Sequence, residues 1–154
     1  MHEAANIAEL PSQDERTMAI LAHVLQLVGS FIAPLVILLT KRESRFASFH
    51  ALQALLLQIA YMALMFVFFA IWFGLFFMTM AHHPPAKHAP PPPMFFVIFP
   101  LIWLGFMGTW VVMLVVAIVY GIKAGRGEWA AYPLLGALAR QILKIGPDGT
   151  ALVN

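Results

Sequence analysis

Charged side chains are almost absent from a long central part of the chain, and this gap limits what the chain can fold into. Residues 46–122 contain one charge, Lys87, and residues 17–40 contain none. A charge-free apolar run of about 20 residues is long enough to cross the hydrocarbon core of a bilayer as a helix. Because backbone groups in lipid have to bond to one another, such runs form helices rather than open strands. The pattern predicts an all-α integral membrane protein.

The overall composition supports this class and excludes several others. Of the 154 residues, 62% are hydrophobic and 10% are charged, whereas soluble domains have about 45–50% and about 25%. The net charge of +2 is too small to indicate a nucleic-acid-binding protein, which needs a basic patch or stripe. The chain has no cysteine, so disulfides, thiolate metal sites and thiol catalysis are excluded.

Three apolar segments predict about three transmembrane helices, at residues 18–40, 51–81 and 94–122. They make up a membrane domain over residues 18–124, between a polar tail at 1–17 and a cytoplasmic region at 125–154. The first segment is interrupted by Gly29, Ser30 and Pro34. It is therefore either one kinked crossing, which we favour, or a short helical hairpin.

The distribution of basic residues predicts the orientation. Three bases lie in the loop 41–45 and four follow Ile122, whereas the loop 82–93 holds only Lys87. Short loops rich in Lys and Arg stay in the cytoplasm. We expect a multi-pass protein of the inner (cytoplasmic) membrane, with loop 41–45 and the C-terminus in the cytoplasm and loop 82–93 outside. The N-terminus is outside for a single crossing and cytoplasmic for a hairpin.

A few polar side chains interrupt the apolar segments and form a candidate polar cluster: His23, Gln26, His50, Gln53 and Gln58. The first two are three residues apart, so they share one face of a helix. Polar groups within membrane helices either form hydrogen bonds between helices or line a functional site. Helix–helix hydrogen bonding is the favoured interpretation, because no carboxylate lies in any span; a polar substrate cavity is the alternative.

The loop between the second and third segments is rich in proline and contains His82, His83 and His88. Imidazoles suit zinc, copper or nickel, which makes a metal-binding sensor a third hypothesis. However, a proline-rich run favours an extended conformation, in which adjacent histidines point apart. We therefore interpret the loop as a stiff connector and predict no metal and no cofactor.

The region after Glu128 predicts an amphipathic helix that lies in the cytoplasmic membrane interface. An apolar stripe runs along it, formed by Leu134, Leu135, Leu138, Ile142 and Ile145. The predicted interfacial anchors are Trp129, Tyr132, Arg140 and Lys144. A helix that binds a soluble partner is the alternative.

No catalytic motif is present: the sequence has no glycine-rich phosphate loop, no G-x-S-x-G and no H-E-x-x-H. We therefore predict that the protein is not an enzyme.

Several short blocks resemble one known family. Residues 15–23 resemble its opening pattern E-R-x-x-A-x-L-A-H, residues 49–58 resemble H-x-x-Q-A-L-N-F-Q, and residues 123–133 resemble K-A-x-x-G-x-x-x-x-Y-P. On these blocks, the chain resembles the domain-of-unknown-function 4870 family of small membrane proteins, described as similar to the Tic-twenty component of chloroplast import. The resemblance implies a helical membrane protein and no established activity.

Together these features predict a small membrane protein without catalytic activity. It would be an accessory or structural subunit of a membrane complex, or a small homo-oligomer. Its partners would be the lipid bilayer, other membrane subunits or itself, and no nucleic acid. The alternative is a transport or protein-translocation element that uses the polar cluster between its helices.

Overall fold

The computed structural model describes residues 10–82 and 93–152. The elements in these ranges are α1 (Gln13–Gly29), α2 (Ile32–Thr40), α3 (Arg45–His82), α4 (Pro93–Gly125) and α5 (Leu135–Leu143). In this part of the chain there is no strand, only an isolated antiparallel bridge between Ile145 and Ala151. The predicted all-α class is therefore confirmed.

The first apolar segment folds back on itself instead of forming one continuous helix. α1 ends at Gly29, and Ser30 leaves helical geometry with φ 52° and ψ −139° before α2 begins. Ala22 of α1 and Ile37 of α2 belong to one buried cluster. Beyond the end of α2, the Lys41 ammonium binds the Asp14 carboxylate at the start of α1, at 2.7 Å. The segment is thus a helical hairpin, and our preference for a single crossing over 18–40 does not match the structure.

Two helices are long and apolar enough to cross a membrane. They are α3 over Arg45–His82 and the part of α4 over Phe96–Gly125, each with a mean hydropathy of 2.4 in its most apolar window. Neither α1 nor α2 meets this test among the described residues. The prediction of a third transmembrane helix is therefore not supported, because the turn at Ser30 divides that segment into helices of 17 and 9 residues.

The chain divides into two compact units. The first contains the described residues of 1–59 and 114–154, and the second contains those of 60–113. In the second unit, the side chains of Phe66 and Trp103 are 75% and 56% exposed, and the rings of Trp72 and Phe99 lie 6.4 Å apart. A surface of this composition is stable in lipid rather than in water, because it leaves large apolar side chains uncovered.

The Glu15 carboxylate makes hydrogen bonds to two different parts of the first unit. The Ser12 hydroxyl accepts a hydrogen bond from the Glu15 N–H at 3.2 Å, and Glu15 Oε2 accepts one from the Ser12 N–H at 2.7 Å. This reciprocal pair is a capping box, which satisfies free N–H groups at the start of a helix. The other oxygen, Oε1, accepts from the Ser44 hydroxyl at 2.7 Å. Glu15 thereby joins the start of α1 to the turn before α3.

We predict that Glu15→Ala lowers the free energy of unfolding of the first unit by about 1 kcal/mol at neutral pH, the usual value of a helix cap. The Ser44 hydroxyl and the Ser12 N–H hold the pKa of Glu15 below its ordinary value of 4.5. A lowered pKa stabilises the fold above the ordinary value, and this stabilisation is lost as the pH falls through the folded-state pKa. The difference in the free energy of unfolding between Glu15→Ala and the wild type should therefore become smaller at acidic pH.

Unfolding in detergent can be followed by Trp129 fluorescence after Trp72, Trp103 and Trp110 are replaced by phenylalanine, since only Trp129 lies in the first unit. Glu43→Ala, which removes an exposed carboxylate close by, serves as the control. A stability difference that stays constant from neutral to acidic pH would contradict this role of Glu15.

Candidate functional site

Three parts of the first unit meet around a set of buried polar side chains. α1 contributes His23 and Gln26, α3 contributes His50 and Gln53, and the non-helical segment after α4 contributes Tyr132. Their exposure lies between 0% and 3%. In both helices the two polar residues are three apart, so the helical repeat places them on one face. We call these five residues the buried polar cluster.

A continuous chain of hydrogen bonds links three of them. The Tyr132 hydroxyl lies 2.7 Å from His23 Nδ1, and His23 Nε2 lies 3.0 Å from His50 Nδ1. The chain ends where His50 Nε2 lies 3.1 Å from the backbone carbonyl oxygen of Glu128. It therefore connects α1, α3 and the segment after α4.

When both histidines are neutral, the last acceptor fixes the direction of every hydrogen bond in this chain. A carbonyl oxygen can only accept, so His50 Nε2 has to carry the proton that it donates to Glu128. In a neutral imidazole the other nitrogen is then an acceptor, so His50 Nδ1 accepts from His23 Nε2–H. By the same rule His23 Nδ1 accepts from the Tyr132 hydroxyl. In this neutral state both histidines carry their proton on Nε2.

Gln53 makes a second connection to the same segment. Its Nε2 donates to the Ala130 carbonyl oxygen at 3.2 Å, and its Oε1 accepts from the Tyr132 N–H at 2.6 Å. Buried backbone groups outside helices and strands need such partners, because leaving one unpaired costs about 1–3 kcal/mol. Gln53 thus supplies to residues 130–132 the hydrogen bonds that a helix or sheet would otherwise supply.

Gln26 is the exception within the cluster. Neither atom of its amide makes a hydrogen bond of good geometry to the residues described, although Gln26 is 2% exposed. Burial raises the pKa of Tyr132, and the neighbouring Gln26 amide lowers it by a smaller amount. The amide therefore lies next to the Tyr132 hydroxyl, and the phenol stays protonated in the physiological range.

The structure brings together most of the candidate residues that the sequence pointed to, but not all of them. His23, Gln26, His50 and Gln53 are in the cluster, whereas Gln58 donates to the Ser30 hydroxyl at 3.2 Å, at the turn of the hairpin. Gln58 is rotated away from Gln53 on α3, since five residues correspond to about 140° on a helix.

The role of Tyr132 is the residue-level feature that sequence reasoning missed. We expected it to be an interfacial anchor, but its side chain is 3% exposed and its hydroxyl bonds to His23. Its ring also packs edge-on against Tyr120 of α4, with centroids 4.3 Å apart. A buried tyrosine needs a hydrogen-bond partner, but the sequence carried no local signal for this role, because the other members of the cluster are at least 79 residues away along the chain.

Two of the other predicted anchors are also partly buried within the first unit. The Trp129 ring packs against Phe46 and Phe49, with centroids 5.1 Å and 5.5 Å away. Arg140 donates to the Trp129 carbonyl oxygen at 2.9 Å. Both fix the C-terminal region to the start of α3, and only Lys144 of the predicted set is exposed.

No metal centre is found in the described ranges, which contain no group of three or more potential metal-ligating side chains of the His, Cys, Asp or Glu type. His82 lies at the end of α3, where its Nδ1 is 2.8 Å from the Met78 carbonyl oxygen. His83 and His88 lie outside the described residues. The described residues therefore test neither the metal-sensor hypothesis nor our prediction of a stiff connector without metal.

These observations define a class of protein: a small α-helical chain with two helices suited to crossing a membrane. Near the start of one of them, α3, lies a buried network of polar side chains. The family model that matches residues 14–139 is that of MamF/MmsF, the magnetosome magnetite crystal formation protein family. Since the match covers most of the chain, the protein belongs to this family.

This match corrects the family that we predicted from the sequence. The prediction of the domain-of-unknown-function 4870 family was wrong. The blocks behind that resemblance contain His23, His50, Gln53 and Tyr132, the residues that form the buried network. Such blocks describe how helices are packed together, which different families can share. No curated protein matches the chain, and no solved structure does.

We predict that Gln53→Leu destabilises the first unit by about 2–4 kcal/mol, because it leaves the buried Tyr132 N–H and the partly buried Ala130 carbonyl without partners. The matched control is Gln58→Leu, which removes an equally long amide from the same helix but only one hydrogen bond, to Ser30. Denaturant unfolding followed by Trp129 fluorescence measures both. Equal losses for the two variants would show that Gln53 has no special role.

Proposed function

We propose that this chain is a non-catalytic membrane protein that takes part in magnetite crystal formation as an accessory or structural component of the magnetosome membrane. The observation that carries the proposal is the enclosed hydrogen-bond network, which uses its polar groups to join helices. Family membership supplies the process. The two long apolar helices are long enough to cross a membrane.

The hairpin supports a topology with one basic, cytoplasmic side. Because Lys41 pairs with Asp14, the start of α1 lies beside the loop 41–45. The segment after α4 lies there too, since its Glu128 carbonyl bonds to His50 near the start of α3. Basic loops remain in the cytoplasm, so we place the described N-terminal residues, the loop 41–45 and the C-terminal region on that side. The loop 82–93 is then on the opposite side.

The exposed face of α5 supports an interfacial position for this helix. Leu134, Leu138 and Ile142 are 88%, 42% and 53% exposed, and their spacing of four places them along one side. The opposite side carries the buried Gly136 and Ala139. α5 follows a helix that we place across the bilayer, so the lipid surface is the apolar phase within reach of this stripe.

A spin label at the exposed Gln141→Cys position tests the location of α5, because the natural chain has no cysteine and the label is unique. In lipid nanodiscs we predict that the label collides more readily with dissolved oxygen than with a water-soluble nickel chelate. Leu138→Gln combined with Ile142→Gln should reverse this preference, and Ala137→Gln should preserve it. A label in the wild-type background that favours the nickel chelate would contradict the interfacial position.

The role in crystal formation is tested by complementation in a magnetite-forming host from which the gene has been deleted. We predict that deletion changes the size of the crystals seen by electron microscopy and that the wild-type chain and Gln58→Leu restore it. Gln53→Leu should fail to restore it, because the first unit loses its connection to residues 130–132. Crystals unaffected by the deletion would contradict the proposed function.

The transport alternative has less support from the site. A conducting path needs accessible polar lining, whereas His23, His50 and Gln53 are fully enclosed. The mass and composition of the tagged protein, extracted in mild detergent, separate the remaining options. Other subunits at fixed stoichiometry indicate an accessory subunit, and a symmetric oligomer of this chain alone would justify a flux assay in liposomes.

A further inference from the structure

The buried polar cluster has a feature that helix packing alone does not require. When both histidines are neutral, each of their ring nitrogens in the hydrogen-bond chain from Tyr132 to Glu128 is already used, either as a donor or as an acceptor. A further proton has no place there unless the bonds between Tyr132, His23 and His50 reverse. Gln26 is buried beside the hydroxyl at the start of the chain, and neither atom of its amide makes a hydrogen bond of good geometry among the described residues.

We propose that Tyr132, His23 and His50 form a binding site for a single proton, and that Gln26 accepts the Tyr132 hydroxyl in the protonated state. This inference concerns regulation of the buried polar cluster and rests on the structural role proposed above. It assigns a purpose to the one amide in the cluster that has no partner in the neutral state. Retaining such a group without a partner would otherwise cost stability.

The proton balance is complete within these residues and solvent. The Tyr132 oxygen binds a proton from solvent and gives its original hydroxyl proton to His23 Nδ1. His23 then passes its Nε2 proton to His50 Nδ1, 3.0 Å away. His50 becomes an imidazolium that still donates to Glu128, His23 becomes the neutral Nδ1–H tautomer, and Tyr132 stays neutral. One proton is gained and no electron is transferred.

In this state every bond in the chain has a suitable donor and acceptor. His50 Nδ1–H donates to His23 Nε2, and His23 Nδ1–H donates to the Tyr132 oxygen. The Tyr132 hydroxyl is then free to turn to the Gln26 carbonyl oxygen, which has no other donor. Without Gln26 the reversed chain would leave a buried hydroxyl proton unpaired, which makes that state costlier.

The surroundings of His50 stabilise the charge in part. The rings of Phe46 and Phe49 lie with centroids 4.6 Å and 5.3 Å from that of His50, within the range of cation–π attraction. The Glu128 carbonyl oxygen also faces it.

Other titratable and charged groups surround the cluster on each packed element. They are His23 on α1, Tyr120 and Lys123 on α4, Arg126 and Glu128 in the following segment, and Arg140 on α5. Burial of His23 and His50 opposes proton uptake, because it penalises the charged form, and this set contains more cations than carboxylates. Reversal of the chain must therefore supply a specific stabilisation, and Gln26 is the group placed to provide it.

Nitrogen NMR of histidine side chains tests the proposal, because ring-nitrogen shifts distinguish the tautomers and the imidazolium. The full chain with labelled histidine is placed in lipid nanodiscs and titrated from about pH 8 to about pH 3, because burial moves histidine titration below its ordinary value of about 6.5. His23→Gln and His50→Gln assign the signals. We expect Nε2–H tautomers for both residues at the start, followed by changes at one shared midpoint with uptake of one proton.

Gln26→Leu should weaken proton binding about tenfold, a shift of one pH unit in the midpoint. Gln58→Leu, which removes a buried amide outside the cluster, should leave the midpoint unchanged. If Gln26→Leu is too unstable to study, Tyr132→Phe provides a second test. It removes the hydroxyl that accepts from His23 Nδ1–H in the protonated state, so the shared midpoint should fall below that of the wild type.

Three outcomes would overturn the proposal. They are an Nδ1–H tautomer on either histidine at the start, separate midpoints for the two residues in the wild-type chain, and a wild-type midpoint in Gln26→Leu. The last result is also what a water molecule bound to Gln26 would give. None of these readouts depends on crystal formation, so failure of the complementation experiment and failure of this proposal are distinguishable.

Discussion

The first unit depends on buried hydrogen bonds between side chains of two helices and a backbone segment that has no regular structure of its own. Residues 128–132 follow α4 and are neither helix nor strand. Their backbone groups find partners in His50 and Gln53. In a membrane protein, non-helical backbone is stable only where protein or water satisfies it. Here side chains of α3 satisfy it together with Tyr120 of α4 and Arg140 of α5, and the bond between His23 and His50 holds α1 against α3.

This arrangement separates two roles along the same long helices. In the first unit the residues at the start of α3 are buried and include the polar cluster, whereas the described residues of 60–113 expose mainly aromatic and aliphatic side chains. The buried groups give a defined geometry, because each donor has one suitable acceptor. The exposed groups need only a lipid phase and no particular partner. A structural role in a membrane is consistent with both.

The sequence predicted the fold class and the membership of most of the cluster for identifiable physical reasons. Charge-free runs indicate membrane helices, and the spacing of His23 from Gln26 and of His50 from Gln53 places each pair on one helix face. The sequence did not determine whether residues 18–40 form one kinked helix or a helical hairpin, because Gly29, Ser30 and Pro34 are compatible with both. The pairing of Lys41 with Asp14 is a long-range contact that local patterns do not contain. The place of Tyr132 in the cluster also follows from tertiary packing, since nothing nearby in sequence distinguishes it from an interfacial tyrosine.

The most direct test of this account is the hydrogen–deuterium exchange rate of the Tyr132 backbone amide, measured by NMR in lipid nanodiscs. Amides outside helices and strands usually exchange rapidly, because local opening costs them little. Here the Tyr132 N–H is buried and donates to Gln53 Oε1 at 2.6 Å. We predict that the Tyr132 amide exchanges as slowly as the buried amides of α3 near Gln53. Both sets of amides should become exposed to exchange in the same unfolding event of the first unit. Rapid exchange of Tyr132 while those α3 amides stay protected would contradict it.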